Sequence, residues 1–330
     1  MENQPDNAKL PLTGEELDQF LQDVSRQVAE PEQTPPPQPQ QQQRQNRNEK
    51  RPKKQNKKNL IYLVLLIFFG AVFAFSAVYL INYLVESKQQ QEDYRDLANI
   101  VASIQADQNT KPSDPATQPS GGEPGTQPSI PETEPVVLEI LPEYKDLYDL
   151  NNDLVGWIKV EDTKINYPVL QSSPDNKDYY IDHDFYHRGR GCGAIYVRET
   201  CDVFEPSDNV TIYGHHMKDK SMFAGLDYYR DKSFWEKHKT FTFDTLYEHH
   251  TYEVIAIFKT SANTGQGFPY HRFENAEDEA AFDEFINTVK SLQMYETGVT
   301  AEYGDKLVCL STCEYTLNNG RLVVVAKRIT

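Results

Sequence analysis

Two residue types suited to covalent chemistry flank a short polar loop near the end of the chain, in LSTCEYTLNNGRLVVV (310–325). Cys313 closes one apolar run and Arg321 opens the next. If KLVCLST and RLVVVAK pair as an antiparallel hairpin, opposed residues at the loop end have Cα atoms about 4.5–5.5 Å apart, and thiol and guanidinium emerge together. A thiolate is a strong nucleophile, and arginine is a permanent cation with five donors. Beside a reacting cysteine it favours the thiolate or stabilises the oxyanion formed on attack at a carbonyl. Such acyl chemistry also needs a general acid for the leaving amine. The chain has eight histidines, and two of them, His215 and His216 in NVTIYGHHMKD, directly follow a strand-like run ending at Gly214. A strand end aims a side chain at a rim. The other six (His183, His187, His238, His249, His250, His271) lie in polar contexts.

These groups need a frame to hold them. INYPVLQ, GAIYVRE, NVTIYG, TFTFDTL, TYEVIAIFKT, KLVCLST and RLVVVAKRI are strand-length, rich in β-branched and aromatic residues, and punctuated by Gly, Pro, Asn and Asp. A further strand starts at Gly156, after a helix over about 142–151. So many short strands within 136–330 predict a closed barrel or a sandwich. NAEDEAAFDEFINTVKSLQMY (275–295) breaks the series: Ala281, Phe282, Phe285, Ile286, Val289 and Leu292 share one helical face, with Asn275 at the cap position. The reading is a mainly β fold with one helix near its start and one inserted before the last two strands.

The N-terminal part reads differently. Leu60–Ile81 is 22 residues without a charge, enough to span the roughly 30 Å apolar core of a bilayer. Eight basic residues between Arg44 and Lys58 precede it, and Glu86, Glu92 and Asp93 follow, so the positive-inside bias places the N-terminus in the cytoplasm and the bulk outside. A cleaved signal peptide would carry its apolar core nearer the start. Residues 1–59 form a cytoplasmic tail: TGEELDQFLQDVSRQV has a capping box (Thr13, Glu16) and helical spacing, and the Pro/Gln-rich remainder predicts disorder. Residues 82–135 form an extracellular linker, loosely helical over 86–105 and Pro/Gly/Ser/Thr-rich over 111–135. The folded domain, which would carry any such chemistry, is then expected over 136–330.

The net charge of −17 argues against nucleic acid as a partner. An oxidising exterior permits disulfides. Cys309 and Cys313, four apart in one strand, lie about 13 Å from each other, too far to bridge. Cys192 and Cys201 either pair across a hairpin or stay as small unpaired hydrophobes. His183 and His187 are four apart but lack a framing helix or Cys/His cluster, so no metal and no cofactor is expected.

On these residues the sequence resembles the sortases, cysteine transpeptidases that anchor surface proteins to Gram-positive cell walls. The resemblance rests on LSTC at a strand end, Arg at the start of the next strand, and YGHH after another strand. NNDLVGWIKV with INYPVLQ, HDFYHRGRGCGAIYV, and the helix at 275–295 point to class B, over roughly Leu141 to the C-terminus. It implies an eight-stranded β-barrel with added helices. It also implies Cys313 as nucleophile, Arg321 as oxyanion- or substrate-positioning residue, and His215 as catalytic histidine, with His216 the alternative. Ser311, Thr312 and Tyr213 are substrate-binding candidates. Cys309 shares a strand face with Cys313 if alternation is strict, and is read as a barrel-core cysteine. The implied substrate is a secreted surface protein with a C-terminal sorting motif, cleaved after Thr, and the acyl group passes to a peptidoglycan precursor amine. A pilin lysine as acceptor would make the enzyme a polymerase, and a tethered wall-binding domain is the non-enzymatic alternative. A papain-like peptidase would instead set its cysteine at a helix start.

Overall fold

The computed structural model describes residues 57–110 and 138–330; the helix expected over 13–28, the Pro/Gln-rich tail and the segment 111–135 lie outside the described residues. The chain divides at Leu65, and Leu66–Thr330 is one compact unit. Helix α1 covers Lys57–Thr110, followed by α2 (Pro142–Leu150). Then come β1 (Leu154–Lys159), β2 (Asn166–Leu170), β3 (Ile195–Val197), β4 (Asn209–Tyr213), α3 (Lys232–Lys237), β5 (Thr240–Thr245), β6 (Thr251–Ser261), α4 (Glu279–Leu292), β7 (Leu307–Glu314) and β8 (Gly320–Arg328). The eight strands close a barrel in the order β1-β2-β3-β4-β7-β8-β6-β5.

Strand alternation sorts the core into two layers. Val308, Leu310, Leu322, Val324 and Ala326 belong to the larger cluster filling the barrel. Leu307, Cys309, Val323 and Val325 belong to a second cluster outside it, beneath Phe282, Phe285, Ile286 and Val289 of α4. Odd-numbered residues of β7 and β8 therefore face outward, because successive side chains of a strand point to opposite sides. Cys309 is fully buried, as a core cysteine should be, but in this outer layer rather than inside the barrel.

Helix α4 starts later than its sequence pattern suggested. Asp278, not Asn275, is the cap: its side chain accepts from the Ala281 amide. Asn275 instead accepts from the Asp208 amide. Leu292, expected on the buried face, is the last helical residue and stays 39% exposed.

A larger difference concerns the segment before the barrel. Gln90, Tyr94, Leu97 and Val101 of α1 are buried, at the 4-3-4 spacing of one helix face. Gln90 Nε2 donates to the Gly193 carbonyl (2.9 Å), and the Tyr94 ring meets Tyr167 edge-on at 5.3 Å. Arg188 joins Asp93 to the fully buried Asp184. The folded body thus includes this half of α1 and does not begin near Val136, because the helix buries apolar surface that a linker would leave in water. Upstream, within Ile61–Gln108, a window of mean hydropathy 2.6 is long and apolar enough to cross a membrane.

All four cysteines are free. Cys192 Sγ donates to the Gln90 side chain and Cys201 Sγ lies 3.6 Å from the Asn209 carbonyl. Burial pushes both thiols up to about 11, which suits packing rather than reactivity.

A helix that is part of the core must contribute to stability. Leu97→Ala is expected to destabilise the protein by about 2–5 kcal/mol. Urea denaturation followed by tryptophan fluorescence would register this as a lower midpoint, whereas an undocked spacer helix would leave the midpoint unchanged.

Candidate active site

β7 lies between two partners of opposite sense. Against β8 it runs antiparallel, and Cys313 pairs directly with Arg321. Against β4 it runs parallel, the last pair being Tyr213 with Ser311. His215 and Cys313 each lie two residues beyond that pair, and residues in register on parallel strands share a face. The hairpin expected from sequence forms, though the strands run further than the apolar runs, leaving only 315–319 as loop.

The two histidines separate on this geometry. His215 Nε2 donates to the Ile181 carbonyl at 2.6 Å, and its own carbonyl accepts from the Phe223 amide at 2.9 Å. With the proton on Nε2, the other ring nitrogen of a neutral His215 is the basic one. His216 turns instead to Asp227, with Nε2 2.7 Å from Oδ2, and its Nδ1 is buried without a partner. The Tyr315 ring meets His216 edge-on at 5.3 Å, and its hydroxyl donates to the His216 carbonyl (3.1 Å).

Close packing fixes the backbone before His215. A Cβ on Gly214 would lie 2.5 Å from the Ile195 side chain and 2.7 Å from the Phe223 ring, so only glycine lets the chain pass there. At the far end of the hairpin, a Cβ on Gly320 would sit 2.4 Å from the Glu314 carbonyl.

Arg321 is half-buried, and its Nη1 is held by its own loop: the Gly320 carbonyl at 2.9 Å and Asn319 Oδ1 at 3.1 Å. Among the described residues no hydrogen bond occupies its Nε or Nη2, which stay available to an anionic oxygen. Cys313 is likewise half-buried. Of the remaining candidates, Tyr213 is half-buried and packs against Tyr196 (5.4 Å). Ser311 is buried, its hydroxyl 2.5 Å from the Tyr270 hydroxyl. Thr312 is buried, with an unpartnered Oγ1.

Glu314, which the sequence reading passed over, organises the loop between nucleophile and arginine. Its side chain is almost inaccessible, and it accepts from the Thr316 hydroxyl (2.7 Å), the Thr316 amide (2.9 Å), the Leu317 amide (3.1 Å) and Lys259 Nζ (3.0 Å). Burial alone would raise its carboxyl. The Thr316 hydroxyl, the Lys259 ammonium and the Thr316 amide outweigh that and bring it down from 4.5 to about 2. The Ile181 carbonyl was equally invisible, because a backbone acceptor leaves no mark in residue identity. A glutamate directly after the cysteine, with a threonine two residues on, was the one readable signal.

The arrangement offers a candidate nucleophile, a cation with free donors and an oriented imidazole at neighbouring strand ends, a set suited to acyl transfer through a thioester.

Comparison with known proteins places the chain in a family. A family model for the sortase domain matches residues 158–329. Sortase B of Listeria monocytogenes is 36% identical over 196 residues, spanning 58% of this chain and 76% of that protein. Sortase B of Staphylococcus aureus is 34% identical over 192 residues, with the same coverage of 58% and 76%. Among solved structures, a Staphylococcus aureus sortase B–substrate complex has a TM-score of 0.60 at 28% identity, covering 74% of this chain and 99% of the other. A sortase B complexed with triglycine has a TM-score of 0.59 at 27% identity, covering 74% and 99%.

The depressed Glu314 carboxyl has a testable sign. A group held below its usual value stabilises the fold above pH 4.5, and the contribution is lost as pH falls toward 2. Glu314→Gln is expected to lower stability at pH 7 and to flatten the stability–pH slope across that window, as read by urea denaturation at stepped pH.

Proposed function

Because this chain belongs to the sortase family, in its class B group of cysteine transpeptidases, we propose that Cys313, His215 and Arg321 perform its acyl transfer. The observation that supports the assignment is the register of β7, which pairs Cys313 with Arg321 on β8 and Ser311 with Tyr213, two residues before His215, on β4. His216 is the weaker claimant, because Asp227 engages its Nε2 and its other ring nitrogen, Nδ1, is buried.

The Cys313 thiolate attacks the carbonyl carbon of a threonine in a sorting motif near the C-terminus of a secreted surface protein. The oxygen gains negative charge and accepts from the free donors of Arg321. The His215 imidazolium protonates the departing amide nitrogen, the C–N bond breaks, and a thioester remains on Cys313. An acceptor amine then attacks the thioester carbonyl and gives its proton to His215. The C–S bond breaks, leaving a new amide and regenerating the thiolate–imidazolium pair. The acceptor is an amine of the peptidoglycan precursor; the relative complexed with triglycine, a peptide with a terminal amine, supports an acceptor of that type.

Ser311, Thr312 and Tyr213 shape the approach to Cys313 from behind. Ser311 and Thr312 do so as buried wall residues, and Tyr213 through its packing on Tyr196. The apolar segment of α1 anchors the enzyme in the cell membrane, with the basic flank in the cytoplasm and the catalytic domain outside.

Incubation with short sorting-motif peptides and a small amine, read by intact-protein mass spectrometry, tests this reading. The expected result is an acyl adduct on wild-type protein that the amine discharges, and none on Cys313→Ala. Arg321→Ala should slow turnover by roughly 10²–10³-fold. His215→Ala should slow it by about 10²–10⁴-fold, and His216→Ala by far less. A larger loss at His216 than at His215 would reverse the histidine assignment, and a wild-type protein that never acylates would remove the enzymatic one.

A further inference from the structure

Two residues adjoin the proposed catalytic pair in sequence but turn away from it: His216 after His215, and Glu314 after Cys313. Both reach the same side chain through charged contacts. His216 Nε2 is 2.7 Å from Asp227 Oδ2, Asp227 Oδ1 is 3.7 Å from Arg230 Nη1, and Arg230 Nη1 is 3.6 Å from Glu314 Oε1. Glu314 continues to Lys259 on β6 at 3.0 Å. Asp227 and Arg230 lie on one 3-10 segment, Phe223–Arg230, whose first residue donates its amide to the His215 carbonyl.

We propose that Arg230 is a positioning residue for acyl transfer, tying the β4 end that carries His215 to the β7 end that carries Cys313. The idea rests on the roles proposed above for those two residues. Strand pairing between β4 and β7 stops at Tyr213–Ser311, with the Gly214 amide still donating to the Ser311 carbonyl. Beyond that point the described ladder no longer sets the distance between the two chain ends. Arg230 lies where a lateral tie is missing: its Nη1 stands between the two carboxylates as a shared ion-pair partner, 3.7 Å from Asp227 and 3.6 Å from Glu314. Glu314 anchors the tie firmly, since its carboxylate is fixed by Lys259, Thr316 and Leu317. On the other side Tyr315, from the loop Glu314 organises, packs on His216. The charged groups in contact with Arg230 are therefore Asp227 and Glu314, with His216 reached through Asp227 and Lys259 through Glu314.

Steady-state transpeptidation by the full chain tests the tie, with Arg230→Gln, Arg230→Lys and Glu314→Gln alone and in combination, and Cys313→Ala as the blank. Arg230→Gln is expected to lower kcat by about ten- to a hundredfold, the scale of misplaced reacting groups, while KM and Tm change little. Arg230→Lys should recover part of that loss, because it keeps the charge without the planar guanidinium. Adding Arg230→Gln to Glu314→Gln should lower kcat by less than the product of the single effects, as coupled residues do. A wild-type kcat in Arg230→Gln, full additivity with Glu314→Gln, or equal losses in the Gln and Lys variants together with a fall in Tm would each overturn the proposal. If wild-type protein gave no more product than Cys313→Ala, the failure would lie in the assigned reaction, and the tie would fall with it.

Discussion

β7 is hydrogen-bonded on one flank to β4, running parallel, and on the other to β8, running antiparallel. Everything proposed for the site depends on that double pairing. An antiparallel neighbour can come from a local hairpin, so Arg321 is only eight residues from Cys313. A parallel neighbour needs a long connection, and β4 joins β7 only after the segments holding α3, β5, β6 and α4 have been folded elsewhere. A one-residue slip in either pairing would turn a reacting group to the other face. The core guards against this slip, because the alternating residues of β7 are claimed by two separate apolar clusters, one inside the barrel and one under α4.

The same alternation divides labour at the end of β7. Cys313 and Arg321 face outward and lie half-buried, on the side proposed to meet the substrate. Glu314, one step along, is buried and fixes the connecting loop through its carboxylate. A buried carboxylate without such partners would be strongly unfavourable; with two amides, a hydroxyl and an ammonium it becomes a rigid anchor. The histidine side is built on the same plan. A glycine admits the chain through a gap too narrow for a Cβ, a backbone carbonyl aims the imidazole, and the next residue, His216, is drawn toward Asp227.

The docked half of α1 shows why composition alone misplaced the start of the folded body. Its buried positions, Gln90, Tyr94, Leu97 and Val101, include a glutamine, and charged residues lie between them. The stripe is too thin to stand out as a core helix. Its worth comes from what it meets: the Gly193 carbonyl, the Tyr167 ring and Arg188. Helix α4 carried a clear apolar face, so its existence was legible and only its first residues were misjudged. Asn275 and Asp278 are both good capping residues, and the choice fell to Asp278 because Asn275 was already holding the Asp208 amide.

The sequence by itself determined what depends on local order. Two-residue periodicity marked the strands, the hairpin around 315–319 set Cys313 against Arg321, and an uncharged run of 22 residues marked a helix fit to cross a membrane. Family resemblance in LSTC, YGHH and the later Arg reached the chemistry, and the eight-stranded barrel matches it. Only the tertiary structure shows the different neighbours of His215 and His216, since the two differ by one step along the chain. It alone brought in Ile181, Asp227 and Arg230, and docked α1. Those contacts join segments distant in sequence, and their geometry follows from how the barrel closes, which no local pattern of residues records.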